Sequence, residues 1–407
     1  MTRPTAVAAC LLVCATVWAG PWVLEDFGDA EAIEARRGFS VVRDAECVIA
    51  DGAVRFHSPA RAGATVSIPL DPALLADNEA WDEANGLAFT VRGDGSENWS
   101  RIGFGDRAHM YLIHFPLAND DWHEVRVHFS EMVGATSVKG IGAAGMLPPS
   151  GFVTLQLGDR WHLTWNNGPA PEHSFEISEV RLIRDAPEPP PAPSPRPLED
   201  VLQKLRDREP VTIQCMGDSI TAGTGLPERD TQRYAVLLGE KLRERLGYDE
   251  IVTYSRAVGG ARVHDARVWA PRDFDGVEPD LVTIAIGYND KSGAYPARYY
   301  AWALNDYIDR IARVTDGDAA ICPITTLPGG GYRFVMLDDF AQAVREVAAG
   351  RGDVTAIDLA AQIKPLGRLQ WMTMMGDLAH PNVDGHEWLA DALADWIMER
   401  VEGTAGL

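Results

Sequence analysis

Residues 211–221 read VTIQCMGDSIT, a segment in which a largely apolar run ends in a glycine. A short apolar run bounded by a turn signal is typical of a strand that is buried on both faces, as in a parallel sheet. Glycine allows a sharp exit from the strand, and Asp218 and Ser219 follow directly. The pattern therefore predicts a buried strand whose carboxyl end presents a polar turn.

Around this strand, the chain alternates strands with helices from residue 198 to residue 407. Further strands are predicted at Ile251–Arg256, Leu281–Ile286, Ala319–Thr325 and Val354–Leu359. Helical periodicity lies between and after them, at Tyr234–Leu246, Ala297–Val314 and Trp388–Val401. Strand–helix repetition is typical of a parallel sheet with helices on both faces. In such sheets the active site lies beyond the carboxyl ends of the strands.

A proline-rich segment, residues 186–197 (APEPPPAPSPRP), separates this part from the residues before it. That density of proline excludes a helix or a central strand and favours an extended linker. The preceding residues 20–185 show short period-two alternation without a long helical pattern, which is typical of a β-sandwich. The alternating segments are Val54–His57, Leu87–Val91, Val125–Phe129 and Phe175–Leu182. We therefore expect an all-β domain over 20–185 and an α/β domain over 198–407 that fold separately.

The N-terminal residues 1–19 have the features of a secretory signal peptide. Arg3 precedes an apolar run that is too short to span a membrane, and Ala19 ends a cleavage pattern. We therefore expect a secreted or periplasmic protein. The formal net charge of −22 argues against nucleic acid or an anionic membrane as a partner. The cysteines after residue 19, Cys47, Cys215 and Cys322, suggest no disulfide framework, and we predict no metal or cofactor.

A second polar turn stands near the end of the chain, at residues 376–382, GDLAHPN. A serine hydroxyl is a weak nucleophile at neutral pH and needs a base, for which histidine has a suitable pKa. Asp377 precedes His380 by three residues, so its carboxylate can bond the other ring nitrogen and hold the tautomer. The pattern indicates Ser219 as the nucleophile, His380 as its base and Asp377 as the orienting carboxylate. His386 is the alternative base, and a helix-capping loop with a surface histidine is the alternative role for the turn.

Acyl transfer also requires hydrogen-bond donors for the oxyanion that develops on the carbonyl. The backbone N–H of Ser219 is one candidate. Gly259 and Gly260, which follow the second strand, are others because a glycine backbone can approach a ligand closely. The side-chain amide of Asn289, which follows the third strand, is a further donor, although asparagine is also a common turn residue.

Taken in order, four motifs resemble the sequence blocks of the SGNH (GDSL-type) hydrolases: Gly217-Asp218-Ser219, Gly260, Gly287-x-Asn289-Asp290 and Asp377-x-x-His380. The resemblance covers about residues 209–402 and implies a flavodoxin-like, three-layer α/β/α fold. It implies Ser219, His380 and Asp377 as the catalytic residues. It also implies an oxyanion hole formed by Ser219, Gly260 and Asn289. The second block often opens with asparagine, where Ser255 stands here, so Gly259 remains an alternative to Gly260.

The first part resembles the galactose-binding-type jelly rolls that are attached to many polysaccharide enzymes. Its candidate sugar-stacking residues are Trp99, Trp122, Trp161 and Trp165, for which core packing is the alternative role. In the second part, Asp218, Tyr288 and Tyr332 lie near the motifs and are candidate substrate-binding residues.

These features predict a secreted serine esterase that removes small acyl groups, above all acetyl, from an acetylated polysaccharide or oligosaccharide. The resemblance adds that acetylxylan esterases can join a jelly roll to this catalytic fold in the same order. The segments near the motifs, such as Thr221–Gly225 and Gly329–Arg333, are small, polar or glycine-rich, which favours a short acyl chain. Two alternatives stay open: a lipid esterase or lysophospholipase, and a sugar-binding protein whose hydrolase fold has lost activity.

Overall fold

The structure is a computed structural model that describes residues 22–42, 44–60, 63–76, 78–106, 109–136, 148–158, 165–168 and 171–403. The predicted signal peptide, residues 1–19, and the candidate sugar-stacking residue Trp161 lie outside these ranges. Within them, none of the helices combines the length and the apolar character that crossing a membrane requires.

The first part of the chain consists of antiparallel strands. They are β1 (Trp22–Glu25), β2 (Ser40–Val42), β3 (Glu46–Ala50), β4 (Ala53–Ser58), β5 (Thr65–Pro69), β6 (Gly86–Arg92), β7 (Trp99–Gly105), β8 (His109–Pro116), β9 (His123–His128), β10 (Val133–Thr136), β11 (Thr154–Leu157) and β12 (His173–Ile183). One sheet has the order β3-β4-β12-β6-β9, with β1 beside β12, and the other has the order β10-β8-β7-β11-β5-β2. Two short helices, α1 (Ala30–Glu34) and α2 (Pro72–Leu75), interrupt the strands. The predicted all-β character of this part is confirmed.

The two sheets share one apolar core. Phe115 of β8, in the second sheet, meets Phe89 and Phe175 of the first sheet with ring centroids 5.4 and 5.3 Å apart. All three rings are buried. Since successive side chains of a strand point to opposite faces, the alternating pattern puts one face of each sheet into this core. Each alternating segment of the sequence falls in a strand, with Phe129 alone extending past β9.

The second part is a parallel sheet with helices. Its strands are β13 (Val211–Gly217), β14 (Ile251–Ala257), β15 (Leu281–Ala285) and β16 (Ala320–Pro323). Its helices are α3 (Leu198–Asp207), α4 (Arg229–Gln232), α5 (Tyr234–Leu246), α6 (Val263–Asp273), α7 (Tyr288–Ser292), α8 (Ala297–Val314), α9 (Asp338–Arg351), α10 (Leu359–Ile363), α11 (Gly367–Thr373) and α12 (Val383–Gly403). The strand order is β14-β13-β15-β16, which is the order of flavodoxin-like sheets. The predicted helices Tyr234–Leu246 and Ala297–Val314 have the bounds of α5 and α8.

One predicted strand, Val354–Leu359, is not formed as such. Within the described residues 171–403, this segment contributes a single parallel bridge, Ile324 to Ile357. Asp358 caps α10 by accepting a hydrogen bond from the N–H of Ala361. The helix therefore begins at Leu359 and takes the chain out of the sheet.

Both faces of the parallel sheet are covered. Along β13, Ile213 and Cys215 belong to a core formed with α3, α5 and α12, whereas Met216 belongs to the core formed with α6, α8 and α9. A strand that is buried on both faces needs apolar side chains in both alternating positions, which explains the nearly continuous apolar runs of this sheet. The result is the α/β/α arrangement that the resemblance implied.

The proline-rich residues 186–197 contain no helix or strand in the structure, which describes all of them. They lie against the second part, where the N–H of Arg196 donates to the carbonyl of Ala319 at 3.1 Å and its side chain pairs with Asp280 at 3.0 Å. The first part also contacts the second directly. The guanidinium of Arg310 on α8 donates to the carbonyls of Ser130 and Glu131 at 2.7 and 2.9 Å.

Candidate active site

Ser219 lies at the carboxyl end of the central strand β13. The turn is tight, since a Cβ on Gly217 would lie 1.9 Å from the hydroxyl oxygen of Thr221, which leaves glycine as the residue that fits. The N–H of Ala222 returns to the carbonyl of Asp218 at 3.0 Å, and that of Thr224 returns to Ser219 at 2.9 Å. The nucleophile candidate is therefore held on a closed backbone turn at the edge where an active site is expected.

His380 meets Ser219 from the loop before α12. Its Nε2 lies 2.9 Å from the Ser219 hydroxyl, and its Nδ1 lies 2.8 Å from Oδ2 of Asp377. The other carboxylate oxygen of Asp377 accepts the backbone N–H groups of Ala379 and His380 at 2.6 and 2.7 Å. The structure thus brings the three predicted residues into one hydrogen-bonded chain.

The surroundings of Asp377 favour its charged form. Partial burial would raise the pKa of this carboxyl, but the hydrogen bonds from His380 and Ala379 outweigh that effect, and the pKa lies below its usual value. An ionised carboxylate on Nδ1 requires the ring to carry its proton there. Nε2 is then free to accept the proton of the Ser219 hydroxyl.

The alternative base, His386, is placed elsewhere. It lies buried on α12, accepts the N–H of Tyr234 on Nδ1 at 3.2 Å and stacks on the Tyr234 ring. Burial, followed by the charge of His380, lowers the pKa of His386 to about 4, so this histidine is neutral at physiological pH. Its contacts are those of a core histidine that fixes the start of α5.

The buried Asp218 and the half-buried Asn289 form a hydrogen-bonded pair beside the nucleophile. The Asn289 amide donates to Oδ2 of Asp218 at 3.2 Å and to the carbonyl of Ala261 at 3.0 Å, while Oδ1 of Asp218 accepts the N–H of Ile220 at 2.9 Å. Burial raises the pKa of Asp218 to about 6, against the bond from Ile220 and the charge of His380. Because Asp218 is 1% exposed, the predicted contact with substrate would require uncovering this carboxyl.

The two candidate glycines lie on the turn between β14 and α6. The N–H of Ala261 closes this turn on the carbonyl of Val258 at 3.0 Å, and the N–H of Val258 bonds the carbonyl of Gly217 at 3.1 Å. Gly260 has a φ of +80°, a conformation that favours glycine, whereas Gly259 does not have a positive φ. The turn therefore lies between the nucleophile strand and the Asn289 amide, and both glycines are part of it.

Asp290 lies beside the site, and the sequence motif that contains it gave it no role. Its Oδ2 accepts the N–H of Val263 at 3.1 Å, and its Oδ1 has no hydrogen-bond partner among the described residues. Burial raises the pKa of Asp290 to about 8, despite the bond from Val263. The side chain is thus protonated at neutral pH and ties the loop after β15 to the first turn of α6.

On the histidine side, Tyr288 and Tyr332 have different positions. The Tyr288 hydroxyl donates to the carbonyl of Leu378 at 3.0 Å and accepts a hydrogen bond from Arg333. Tyr288 thereby joins the loop after β16 to the loop that carries His380. Tyr332 is 65% exposed, and its hydroxyl accepts from Nε of Arg333 at 3.2 Å. Of these two tyrosines, both predicted to bind substrate, Tyr332 is the exposed one.

Comparison with known proteins identifies the second part. The model of the GDSL-like Lipase/Acylhydrolase family matches residues 215–388. This region is a GDSL-type hydrolase domain. A search of curated proteins finds no match to the chain.

Solved structures of several esterases are similar to this chain at low sequence identity. An acetyl xylan esterase, AlAXEase, is 19% identical over 45% of this chain and 98% of its own, with a TM-score of 0.39. A two-domain esterase active on acetylated mannans is 19% identical over 50% of this chain and 54% of its own, with a TM-score of 0.42. A family two carbohydrate esterase from Clostridium thermocellum is 16% identical over 89% of this chain and 99% of its own, with a TM-score of 0.36.

Proposed function

We propose that this protein is a serine esterase that removes small acyl groups, acetyl above all, from a polysaccharide or oligosaccharide. The hydrogen-bonded chain Ser219–His380–Asp377 is the observation that carries the proposal. A serine hydroxyl within 2.9 Å of an imidazole, with a carboxylate on the other ring nitrogen, is the arrangement that nucleophilic acyl transfer needs.

In the proposed mechanism, Nε2 of His380 takes the proton of the Ser219 hydroxyl while the oxygen attacks the ester carbonyl. The tetrahedral intermediate collapses, and the imidazolium returns the proton to the departing sugar oxygen. Water then repeats the sequence on the acyl-serine, with His380 again as the base, and releases the free acid. Asp377 stays ionised throughout, because its role is to hold the tautomer and to balance the imidazolium charge.

The oxyanion is proposed to lie between Ser219, Gly260 and Asn289. The N–H groups of Ser219 and Gly260 are backbone donors, and Asn289 contributes its amide. Both amide hydrogens of Asn289 are engaged, one by Asp218 and one by the carbonyl of Ala261. These contacts fix the amide before substrate arrives, and the oxyanion shares one of its hydrogens when it forms. Gly259 is the alternative to Gly260.

A short acyl chain is supported by the small size of the space beside the nucleophile turn. A small hollow beside the nucleophile turn, lined by Asp218 and Ile220 but not by Ser219 itself, has a volume of about 10 Å³. This volume accommodates about one water molecule. Tyr288, Thr325 and Leu327 are among the residues that line it. A long acyl chain would need a larger, continuous apolar channel.

A glycan as the acyl carrier is supported by the sandwich that precedes the hydrolase domain and by exposed aromatic residues. Trp122 is 41% exposed on the sandwich, with Arg92 stacked on its ring at 5.0 Å. On the hydrolase side, the exposed Tyr332 lies beside Arg333. Trp165, by contrast, packs on the hydrolase domain. Export by a signal peptide at residues 1–19 belongs to the same proposal, since polysaccharide substrates lie outside the cell.

The test combines acyl-chain length with polymer activity. We expect kcat/KM for p-nitrophenyl esters to be highest for acetate and to fall from two to twelve carbons. We also expect acetate release from at least one of a panel of acetylated polysaccharides. A kcat/KM that rises about twofold or more per methylene, as burial of each methylene allows, would contradict the acetylesterase and support a lipid esterase. A folded protein inactive on all these esters would refute the enzyme and leave the sugar-binding alternative.

A further inference from the structure

A short 3-10 turn of the first part, Trp165–Asn167, rests on the hydrolase domain next to its edge strand β14. β14 is one of the two edge strands of the parallel sheet and the neighbour of β13, whose carboxyl end leads to Ser219. In register, Ser255 of β14 stands opposite Cys215 of β13. The turn therefore contacts the strand that lies directly beside the nucleophile strand.

Asn166 makes a reciprocal pair with Ser255. Its Nδ2 donates to the carbonyl of Ser255 at 2.6 Å, and the Ser255 hydroxyl donates to Oδ1 of Asn166 at 2.7 Å. The backbone of Asn166 is left-handed, with φ 57° and ψ 32°, a conformation that asparagine adopts more readily than most residues. Asparagine thus suits both the left-handed backbone of the turn and the two hydrogen bonds with Ser255.

This pair lies against the nucleophile turn. The Ser255 hydroxyl is also 3.4 Å from the carbonyl of Thr221, two residues after Ser219, and the carbonyl of Asn166 accepts from Arg229 at 3.3 Å. Thr221 is fully buried, and its hydroxyl bonds that of Tyr234 at 2.8 Å. A shift of Ser255 would therefore displace the backbone that carries Ser219.

Trp165 anchors the turn. Its indole N–H donates to Oδ1 of Asp273 at 2.9 Å, and the guanidinium groups of Arg256 and Arg272 stand over its ring at 4.2 and 5.4 Å. Asp273 is 1% exposed, so this contact is shielded from water. A charge-assisted hydrogen bond to a buried carboxylate is among the stronger ones in proteins, and it holds Asn166 in place.

We propose that Asn166 is a positioning residue for Ser219, contributed by the sandwich to the active site of the hydrolase domain. Its amide pairs with Ser255 at the position where the second block of the related hydrolases often has an asparagine of its own. The inference rests on the proposed function. It makes the first part of the chain a component of the catalytic scaffold as well as a candidate glycan-binding module.

The test compares Asn166→Gly with Arg313→Ala in the full chain. Glycine keeps the left-handed backbone and removes only the amide. Arg313 pairs with Glu131 of the sandwich at 3.2 Å and lies at the C-terminal end of α8, away from the site. Its loss therefore weakens the contact between the sandwich and the hydrolase domain but leaves the contacts of β14 in place. For p-nitrophenyl acetate we expect Asn166→Gly to lower kcat about tenfold or more with KM within twofold, since a small misplacement of a reacting group is costly. Arg313→Ala should keep kcat within twofold.

Labelling of Ser219 by a fluorophosphonate provides a second readout, and it should slow in parallel with kcat. A wild-type kcat for Asn166→Gly, or an equal loss in both variants, would overturn the inference. If Asn166→Gly does not fold, Ser255→Ala tests the same link from the hydrolase side with the same expectation. A wild-type protein that reacted with neither the ester nor the fluorophosphonate would refute the proposed function, and the inference with it.

Discussion

Replacing Asp377 by asparagine should harm turnover more than removing its side chain. Oδ1 of Asp377 accepts two backbone N–H groups, from Ala379 and His380 at 2.6 and 2.7 Å. In an asparagine, the carbonyl oxygen has to take this position because an NH₂ group cannot accept those hydrogens. The amide nitrogen then faces Nδ1 of His380 in place of the carboxylate.

That orientation dictates the wrong tautomer of the histidine. An N–H group opposite Nδ1 of His380 requires a lone pair there, so the ring proton moves to Nε2 and points at the Ser219 hydroxyl. His380 can then no longer accept the serine proton. The loss expected from a tautomer inverted in this way is about 10³- to 10⁴-fold in kcat.

Asp377→Ala should be milder. The side chain of Asp377 is 57% exposed, so water can enter the space and accept the Nδ1 proton of His380. The useful tautomer survives, and only the charge balance of the imidazolium is lost. We expect a fall in kcat of roughly 10- to 100-fold, smaller than for Asp377→Asn.

The assay is steady-state hydrolysis of p-nitrophenyl acetate between pH 6 and 9, with kcat and KM fitted separately and thermal unfolding followed for each variant. Asp384→Asn is the matched control, since Asp384 is an exposed carboxylate near His380 in the chain. Its kcat should remain within about twofold of wild type. Near-wild-type turnover of Asp377→Asn with loss of turnover in Asp384→Asn would refute the assignment of Asp377. A larger loss for Asp377→Ala than for Asp377→Asn would refute the tautomer argument.

Three further predictions concern the nucleophile, the buried Asp290 and the sandwich. Ser219→Ala should lower kcat about a thousandfold or more with an unchanged unfolding temperature, because the serine and its base act as one unit; near-native turnover of the pure, folded variant would exclude Ser219 as the nucleophile. The pKa of Asp290 is about 8 in the folded state and near 4 in the unfolded state, so between these pH values the folded state binds one more proton. The stability that this group contributes is therefore present at low pH and is lost as the pH rises from about 4 to about 8. Asp290→Asn should therefore become progressively more stable than wild type over that window in urea unfolding, and a pH-independent difference would contradict the raised pKa. Deletion of residues 20–185 should lower the unfolding temperature and the activity on p-nitrophenyl acetate, because it removes Trp165 from the buried Asp273; a truncated protein as stable and as active as the full chain would show that the sandwich is dispensable.

Local sequence was a sufficient guide wherever one segment carries its own signal. The apolar run of β13 indicates a strand buried on both faces, and the alternation along β12 indicates a strand buried on one face. The helical period of α5 and α8 indicates helices with one apolar stripe. The turns after β13 and before α12 were likewise visible, because glycine, serine, aspartate and histidine stand together in short motifs. For the strand predicted at Val354–Leu359, composition was misleading, since the segment makes a bridge at Ile357 and then enters α10 at Leu359.

Contacts between residues far apart in the chain depend on the tertiary structure. The 2.9 Å approach of Ser219 to His380 spans 161 residues, and motif order predicted it only because parallel strands end at one edge of the sheet. The pairing of Asn166 with Ser255 across 89 residues has no such rule behind it. This pairing depends on how the sandwich packs on β14, which is fixed by contacts such as that of Trp165 with Asp273. No periodicity in either segment indicates which surface the segment will contact. The contact partners of a residue could therefore be predicted from sequence where the fold class determines them. They could not be predicted where they depend on which two folded surfaces pack together.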